Sequence, residues 1–159
     1  MAQPLPDITP PFNIVLHEPD IPPNTGNIAR LCAGTGAILH LIEPLGFRLT
    51  SQAMRRAGLD YWEAVAVHRH ANIEAFFDTV EPPRFFLLST KGERSYLEPD
   101  YQPGDTFIFG SETRGLPEAL LQQYTQHVVT IPMRCEAVRS MNLSNAVAVV
   151  LYEAISRLL

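Results

Sequence analysis

The 159-residue chain has two cysteines, one tryptophan and one lysine, and no apolar run of the roughly 18 residues a membrane span requires. Cys32 and Cys135 stand far apart without a CxxC spacing, which excludes a disulfide framework or zinc finger and predicts free thiols. The five histidines, His17, His40, His68, His70 and His127, show no HExxH spacing, so no metal role is expected. There is no GxGxxG, no GxxxxGK[ST] and no GxSxG, which leaves no support for a common dinucleotide fold, a P-loop or a hydrolase elbow. The first eleven residues are proline-rich without a basic or apolar signal region, and read as a flexible leader of a cytoplasmic protein.

What remains is a chain with 46% hydrophobic and 18% charged residues. That is enough for a single domain over residues 12–159 that buries roughly 70% of its unfolded surface. The net charge of −5 argues against a general coat for nucleic acid, which draws its affinity from neutralised phosphates, but leaves room for a local patch. Eleven of the twelve basic residues are arginines. Arg48, Arg55 and Arg56 cluster, as do Arg134 and Arg139, and arginine suits bidentate contact with phosphate. An ordinary solvated surface is the alternative.

Apolar runs at Phe12 to Leu16, Ile38 to Ile42, Arg84 to Ser89, Thr106 to Phe109 and Val128 to Ile131 read as strands. Helical spacing follows Pro22-Pro23-Asn24, with Asn24 as the expected N-cap, and recurs at 71–80, 116–123 and 143–158. The alternation implies an α/β domain with a parallel sheet flanked by helices. The last helix is apolar around most of its circumference, as expected of a central helix or of one that also meets a second subunit.

Three segments carry small polar residues where apolar runs meet helices: Asn24-Thr25-Gly26-Asn27-Ile28-Ala29-Arg30; Phe107 to Pro117, with Gly110-Ser111-Glu112-Thr113-Arg114-Gly115; and Ile131-Pro132-Met133 leading to Ser140-Met141-Asn142-Leu143-Ser144-Asn145. Open α/β folds bind ligands at such strand ends. Glycines there let backbone approach a ligand. Ser140, Asn142, Ser144 and Asn145 exceed what one helix cap needs and suit neutral hydrogen-bonded recognition. Asn27 and Arg30 share a helix face. An arginine there would orient and polarise a hydroxyl more naturally than act as a free base.

Together the three segments resemble the motifs of the SPOUT RNA methyltransferases, and within them the compact bacterial tRNA wobble-nucleotide 2′-O-methyltransferases, the TrmL or YibK group. The likeness spans residues 12 to about 158 and includes Ile38 to Phe47 and Arg55 to Tyr61. It implies an α/β-knot fold, with a C-terminal deep trefoil knot that binds S-adenosylmethionine, in a homodimer with both active sites at the interface. It further implies 2′-O-methylation of cytidine or uridine 34 in the anticodon stem-loop of tRNA. By position, Leu88, Gly110, Ile131 and Ser140 are expected to contact the cofactor, with Thr90, Glu112, Met141 and Leu143 lining its pocket. Arg30 matches the family's catalytic arginine, supported by Asn24, Ser140 and Asn142. Arg48, Arg55, Arg56, Arg114, Arg139 and Tyr152 are expected at the RNA. Methylation of ribosomal RNA or of another tRNA position stays open, as does a binding module that keeps the pocket without catalysis.

Overall fold

The computed structural model describes residues 3–50, 52, 65–134 and 137–159. In chain order these hold β1 (Asn13–His17), α1 (Pro22–Thr35), β2 (Ile38–Ile42), β3 (Val67–His70), α2 (Ile73–Val80), β4 (Phe85–Leu88), β5 (Thr106–Phe109), α3 (Glu118–Gln123), β6 (Val128–Val129) and α4 (Leu143–Ser156). The sheet runs β3-β2-β1-β5-β4-β6, and every pairing between these strands is parallel.

Alternation along the strands divides the core in two. Ile14, Leu16, Leu39, Leu41, Phe107 and Phe109 point to one face and pack with Ile28, Ala29 and Cys32 of α1 and Val147, Val150, Leu151, Ala154 and Ile155 of α4. Val15, Ile42, Leu87 and Ile108 point to the other and meet Ile73 and Phe76 of α2 and Leu116, Leu120 and Leu121 around α3. Both faces of the central strands are covered, as a parallel sheet requires. α1 follows β1 on one face, and α3 follows the adjacent β5 on the other. The crevice between the carboxyl ends of β1 and β5 is therefore the topological switch point where ligands bind in such sheets.

β3 was not foreseen from the sequence: Val67-His68-Arg69-His70 lies at the sheet edge, where polar side chains are compatible with a strand. The leader packs against the body. Leu5 and Ile8 lie on the α1/α4 core, and a Cβ on Gly104 would approach Pro10 Cγ to 2.6 Å.

β6 has backbone partners on both edges. Val128 and Val129 pair with Leu87 and Leu88 of β4. Thr130 bridges Ser95, its N–H donating to Arg94 O at 2.8 Å while Tyr96 N–H donates to Thr130 O at 2.9 Å. The chain after α3 thus passes between β4 and a segment of the connection that leaves β4. The end of α4 is tied to that connection, since Arg157 Nη2 donates to Leu97 O at 2.6 Å.

Candidate active site

The first helix starts differently from the expectation. Its N-cap position is Ile21, which has no side chain able to cap, and Pro22 and Pro23 fill the first turn. Asn24 sits inside that turn. The capping acceptor comes from the β5 loop: Glu112 Oε2 accepts from Asp20 N–H at 2.8 Å and Oε1 from Ile21 N–H at 3.2 Å. A carboxylate at a helix N-terminus meets both unpaired N–H groups and the positive end of the dipole.

The same carboxylate orients Asn24. Asn24 Nδ2 donates to Glu112 Oε1 at 3.4 Å, and Asn24 Oδ1 accepts from Asn142 Nδ2 at 3.2 Å. Asn142 in turn caps α4, its Oδ1 accepting from Ser144 N–H at 3.0 Å and Asn145 N–H at 3.3 Å. All three motifs are therefore joined by a single chain of hydrogen bonds from Glu112 through Asn24 to Asn142. Asn24 is buried, so both ends of its amide are satisfied where water is scarce. Two further contacts brace the same pair of loops: Thr113 Oγ1 donates to Asp20 Oδ2 at 2.9 Å, and Arg114 Nη2 lies 3.7 Å from Asp20 Oδ1.

The glycines of the second motif shape the turn. Gly115 takes a φ of +66°, and a Cβ on Gly110 would lie 2.1 Å from Gly115 C and 2.3 Å from Leu116 N. Ser111 and Gly115 close the turn with an antiparallel bridge, and the buried Ser111 hydroxyl accepts from Arg114 N–H at 3.2 Å.

Around this turn opens a cavity of about 630 Å³ at the carboxyl ends of β4 and β5 and the segment after β6. It gathers twelve of the positions expected from the sequence: Asn24 and Asn142; Leu88, Thr90, Gly110 and Glu112; Ile131, Ser140, Met141 and Leu143; Arg114 and Arg139. Apolar walls with a few convergent polar groups, in this volume range, are the ordinary form of a small-molecule or cofactor site. Missed at the level of sequence were Lys91 and Ile21, which also line it. Neither belongs to a motif-like run, although the presence of one lysine among eleven arginines was a usable signal.

Three expected residues lie off this wall. Arg30 is exposed on α1, six residues past Asn24, which is about 9 Å along the axis and about 120° around the helix. Arg48 is exposed after β2, and Tyr152 is 48% exposed on α4. Arg55, Arg56 and Cys135 fall outside the described residues. Cys32 is a free buried thiol, pushed up to about 12 by burial. That makes it a poor nucleophile.

Residues 11–152 match the model of the SpoU rRNA Methylase family. A tRNA (cytidine(34)-2'-O)-methyltransferase of Escherichia coli (strain K12) is 54% identical over 144 residues, covering 90% of this chain and 91% of that one. A solved structure concerned with 2-OH methylation of C/U34 on tRNA superposes with a TM-score of 0.86 at 44% identity, over 92% of this chain and 95% of the other. An AdoMet-bound rRNA methyltransferase from Sinorhizobium meliloti is 26% identical with a TM-score of 0.81, covering all of this chain and 62% of that one. With its motifs converging at the switch-point cavity and the family model matching nearly its full length, the chain belongs to the SpoU rRNA methylase family.

Proposed function

We propose that this protein is a tRNA 2′-O-methyltransferase that moves the methyl group of S-adenosylmethionine to the ribose of cytidine or uridine 34, the wobble nucleotide. The observation that carries this reading is the 630 Å³ cavity at which Asn24, Glu112 and Asn142 are locked together, in a chain 54% identical to a named enzyme of that activity.

The cavity suits the cofactor. Leu88, Ile131, Met141 and Leu143 offer apolar walls for a purine, and Thr90 and Ser140 offer hydroxyls for a ribose. When bound, S-adenosylmethionine supplies a methyl group already activated on a sulfonium, so the protein has mainly to position the acceptor and assist loss of its proton. Positioning alone can be worth about 7–11 kcal/mol of barrier. The Glu112–Asn24–Asn142 chain keeps the acceptor side of the cavity rigid. Arg30 polarises the ribose 2′-hydroxyl. In this reading Arg30, which lies off the wall of the cavity, serves the cavity of a second copy, and the working enzyme is a homodimer. Ile21, Met133, Val138 and Tyr152 are exposed apolar groups, and their burial between two copies would favour association.

The C-terminal segment forms a deep trefoil knot in this reading. Supporting it, the strand between α3 and α4 is hydrogen-bonded to β4 on one edge and to residues 94–96 on the other. A chain sandwiched in this way by one connection is what threading would produce, although knots are otherwise rare. Residues 12–159 constitute one methyltransferase domain, working in the cytoplasm. Arg48, Arg55, Arg56, Arg114 and Arg139, with Tyr152, hold the anticodon stem-loop, and two copies would double that basic surface in a chain of net charge −5.

The test is methyl transfer from labelled S-adenosylmethionine to total tRNA lacking the modification at position 34, followed by nuclease digestion and mass spectrometry. A 2′-O-methyl on nucleotide 34 that disappears in Arg30→Ala, with cofactor affinity kept, is expected. A product found on ribosomal RNA instead would overturn the substrate, and an unchanged rate in Arg30→Ala would overturn the role of that residue.

A further inference from the structure

Asp20 belongs to none of the three motifs, yet it stands where the loops after β1, β2 and β5 meet. Its Oδ2 accepts from Thr113 Oγ1 at 2.9 Å, and its Oδ1 lies 3.7 Å from Arg114 Nη2. The loop that leaves β2 closes over it from another side. Gly46 N–H donates to Pro19 O at 2.9 Å, and a Cβ on Gly46 would stand 2.8 Å from Asp20 Cα and 3.1 Å from Asp20 Oδ1. Glycine at 46 is what leaves the carboxylate this room, in the loop that goes on to Arg48.

We propose that Asp20 is a positioning residue for the RNA substrate, aiming the Arg114 guanidinium at a backbone phosphate at the mouth of the cavity. The proposal rests on the reading above that Arg114 meets RNA. It adds a residue that acts through Arg114 rather than on any reacting atom.

The backbone around Arg114 is held without Asp20's carboxylate. Arg114 N–H donates to Ser111 Oγ at 3.2 Å and Gly115 N–H to Ser111 O at 3.0 Å. Glu112 ties the same loop to the start of α1 through the N–H groups of Asp20 and Ile21. What those ties leave open is the direction of the long Arg114 side chain, 62% exposed on the cavity wall. Asp20 sets that direction. At 3.7 Å its carboxylate attracts the guanidinium without a hydrogen bond of normal length, so the paired N–H groups that suit a phosphate stay available for one. An exposed pair of this kind adds little to stability. Its effect falls on binding, because an arginine already aimed has less side-chain freedom to lose when RNA arrives. Charge alone makes the opposite forecast. An acid at the rim of a cavity that admits RNA repels phosphate, so removing it would tighten binding.

The experiment titrates an unmodified tRNA anticodon stem-loop into the full chain, wild type and Asp20→Asn, over a series of salt concentrations. Steady-state kinetics on tRNA, affinity for S-adenosylhomocysteine and Tm are measured beside it. Asparagine has the size of aspartate and can still accept from the Thr113 hydroxyl, so the loops stay joined while the charge that aims Arg114 is gone. Asp20→Asn is expected to weaken RNA binding and raise KM about fivefold, and to reduce the salt slope by about one. It should keep kcat and S-adenosylhomocysteine affinity within about twofold and Tm within about 2 °C. In an Arg114→Ala background the same substitution should change RNA affinity by less than about twofold. RNA binding that is unchanged or tighter in Asp20→Asn would overturn the inference and leave the RNA reading intact. A loss that persists without Arg114 would overturn it too, as would a parallel fall in RNA affinity, cofactor affinity and Tm, the signature of a contact that only braces the loops. A wild type that binds no stem-loop would remove the RNA reading and this inference together.

Discussion

Replacing Glu112 with glutamine removes one charge and one acceptor at the point where two loops and a helix start are tied. The carboxylate accepts from Asp20 N–H, Ile21 N–H and Asn24 Nδ2 at 2.8, 3.2 and 3.4 Å. Glutamine keeps one oxygen, which can hold the shortest contact, and turns an NH2 toward two donors. The Ile21 N–H can find water, since Ile21 is exposed. Asn24 Nδ2 cannot easily do so, since Asn24 is buried. An unmet buried donor costs about 1–3 kcal/mol, so a loss of about 2 kcal/mol is expected. For a chain of this size that is a drop in Tm of about 4–8 °C. Asn24, released at one end, no longer holds Asn142, so methyl transfer should fall more than cofactor affinity. Thermal denaturation, calorimetry with S-adenosylhomocysteine and kcat/KM on tRNA read the three effects. A Tm within about 1 °C of wild type with unchanged kcat/KM would refute the idea that this carboxylate organises the site.

Four further outcomes are expected. Gly110→Ala places a Cβ about 2 Å from backbone atoms of Gly115 and Leu116 that cannot yield, so it should cost about 3 kcal/mol or more. Gly34→Ala, with nothing within 4 Å of the new Cβ, should stabilise α1 by about 0.5–1 kcal/mol, and urea midpoints of the two variants moving together would refute the comparison. Asn142→Ala loses both the α4 cap and the bond to Asn24. It should cost about 1 kcal/mol, and an unchanged Tm would count against the cap. His40 is driven down to about 3 by burial, and further by His70 and His68. Its ring nitrogens lie 2.8 Å from Asn13 Oδ1 and 3.0 Å from His70 Nε2. The unfolded chain then binds more protons between about pH 6.5 and 3, so stability is full above that window and falls as the pH drops into it. About 2 kcal/mol should go between pH 7.5 and 5. A urea midpoint that stays flat over that range would refute this.

The periodicity of the sequence made most of the architecture legible, because strands buried on both faces read as apolar runs and α1 and α4 carry apolar stripes. What escaped was local and polar. β3, with its two histidines and an arginine, has strand structure because β2 offers it a free edge, and no alternation announces that. Asn24 beside Pro22-Pro23 looks like a cap by the usual rule, but the acceptor came from 88 residues away. A side chain from a distant loop can replace a local cap only once the sheet has brought the two loops together.

The composition and motifs of this chain by themselves determined the α/β class, the three loops that would carry chemistry and the kinship those loops imply, because each depends on residue type and short-range spacing. Tertiary structure decided which of those residues cooperate. β1 and β5 became neighbours although 88 residues separate their nearer ends, which set Glu112 against Asn24, and Asn24 in turn met Asn142. It also left Arg30 off the cavity wall and brought Lys91 onto it. The reason is physical: hydrogen bonds and ion pairs act over a few ångströms, and only the parallel pairing of the strands brings groups so far apart in sequence within that range.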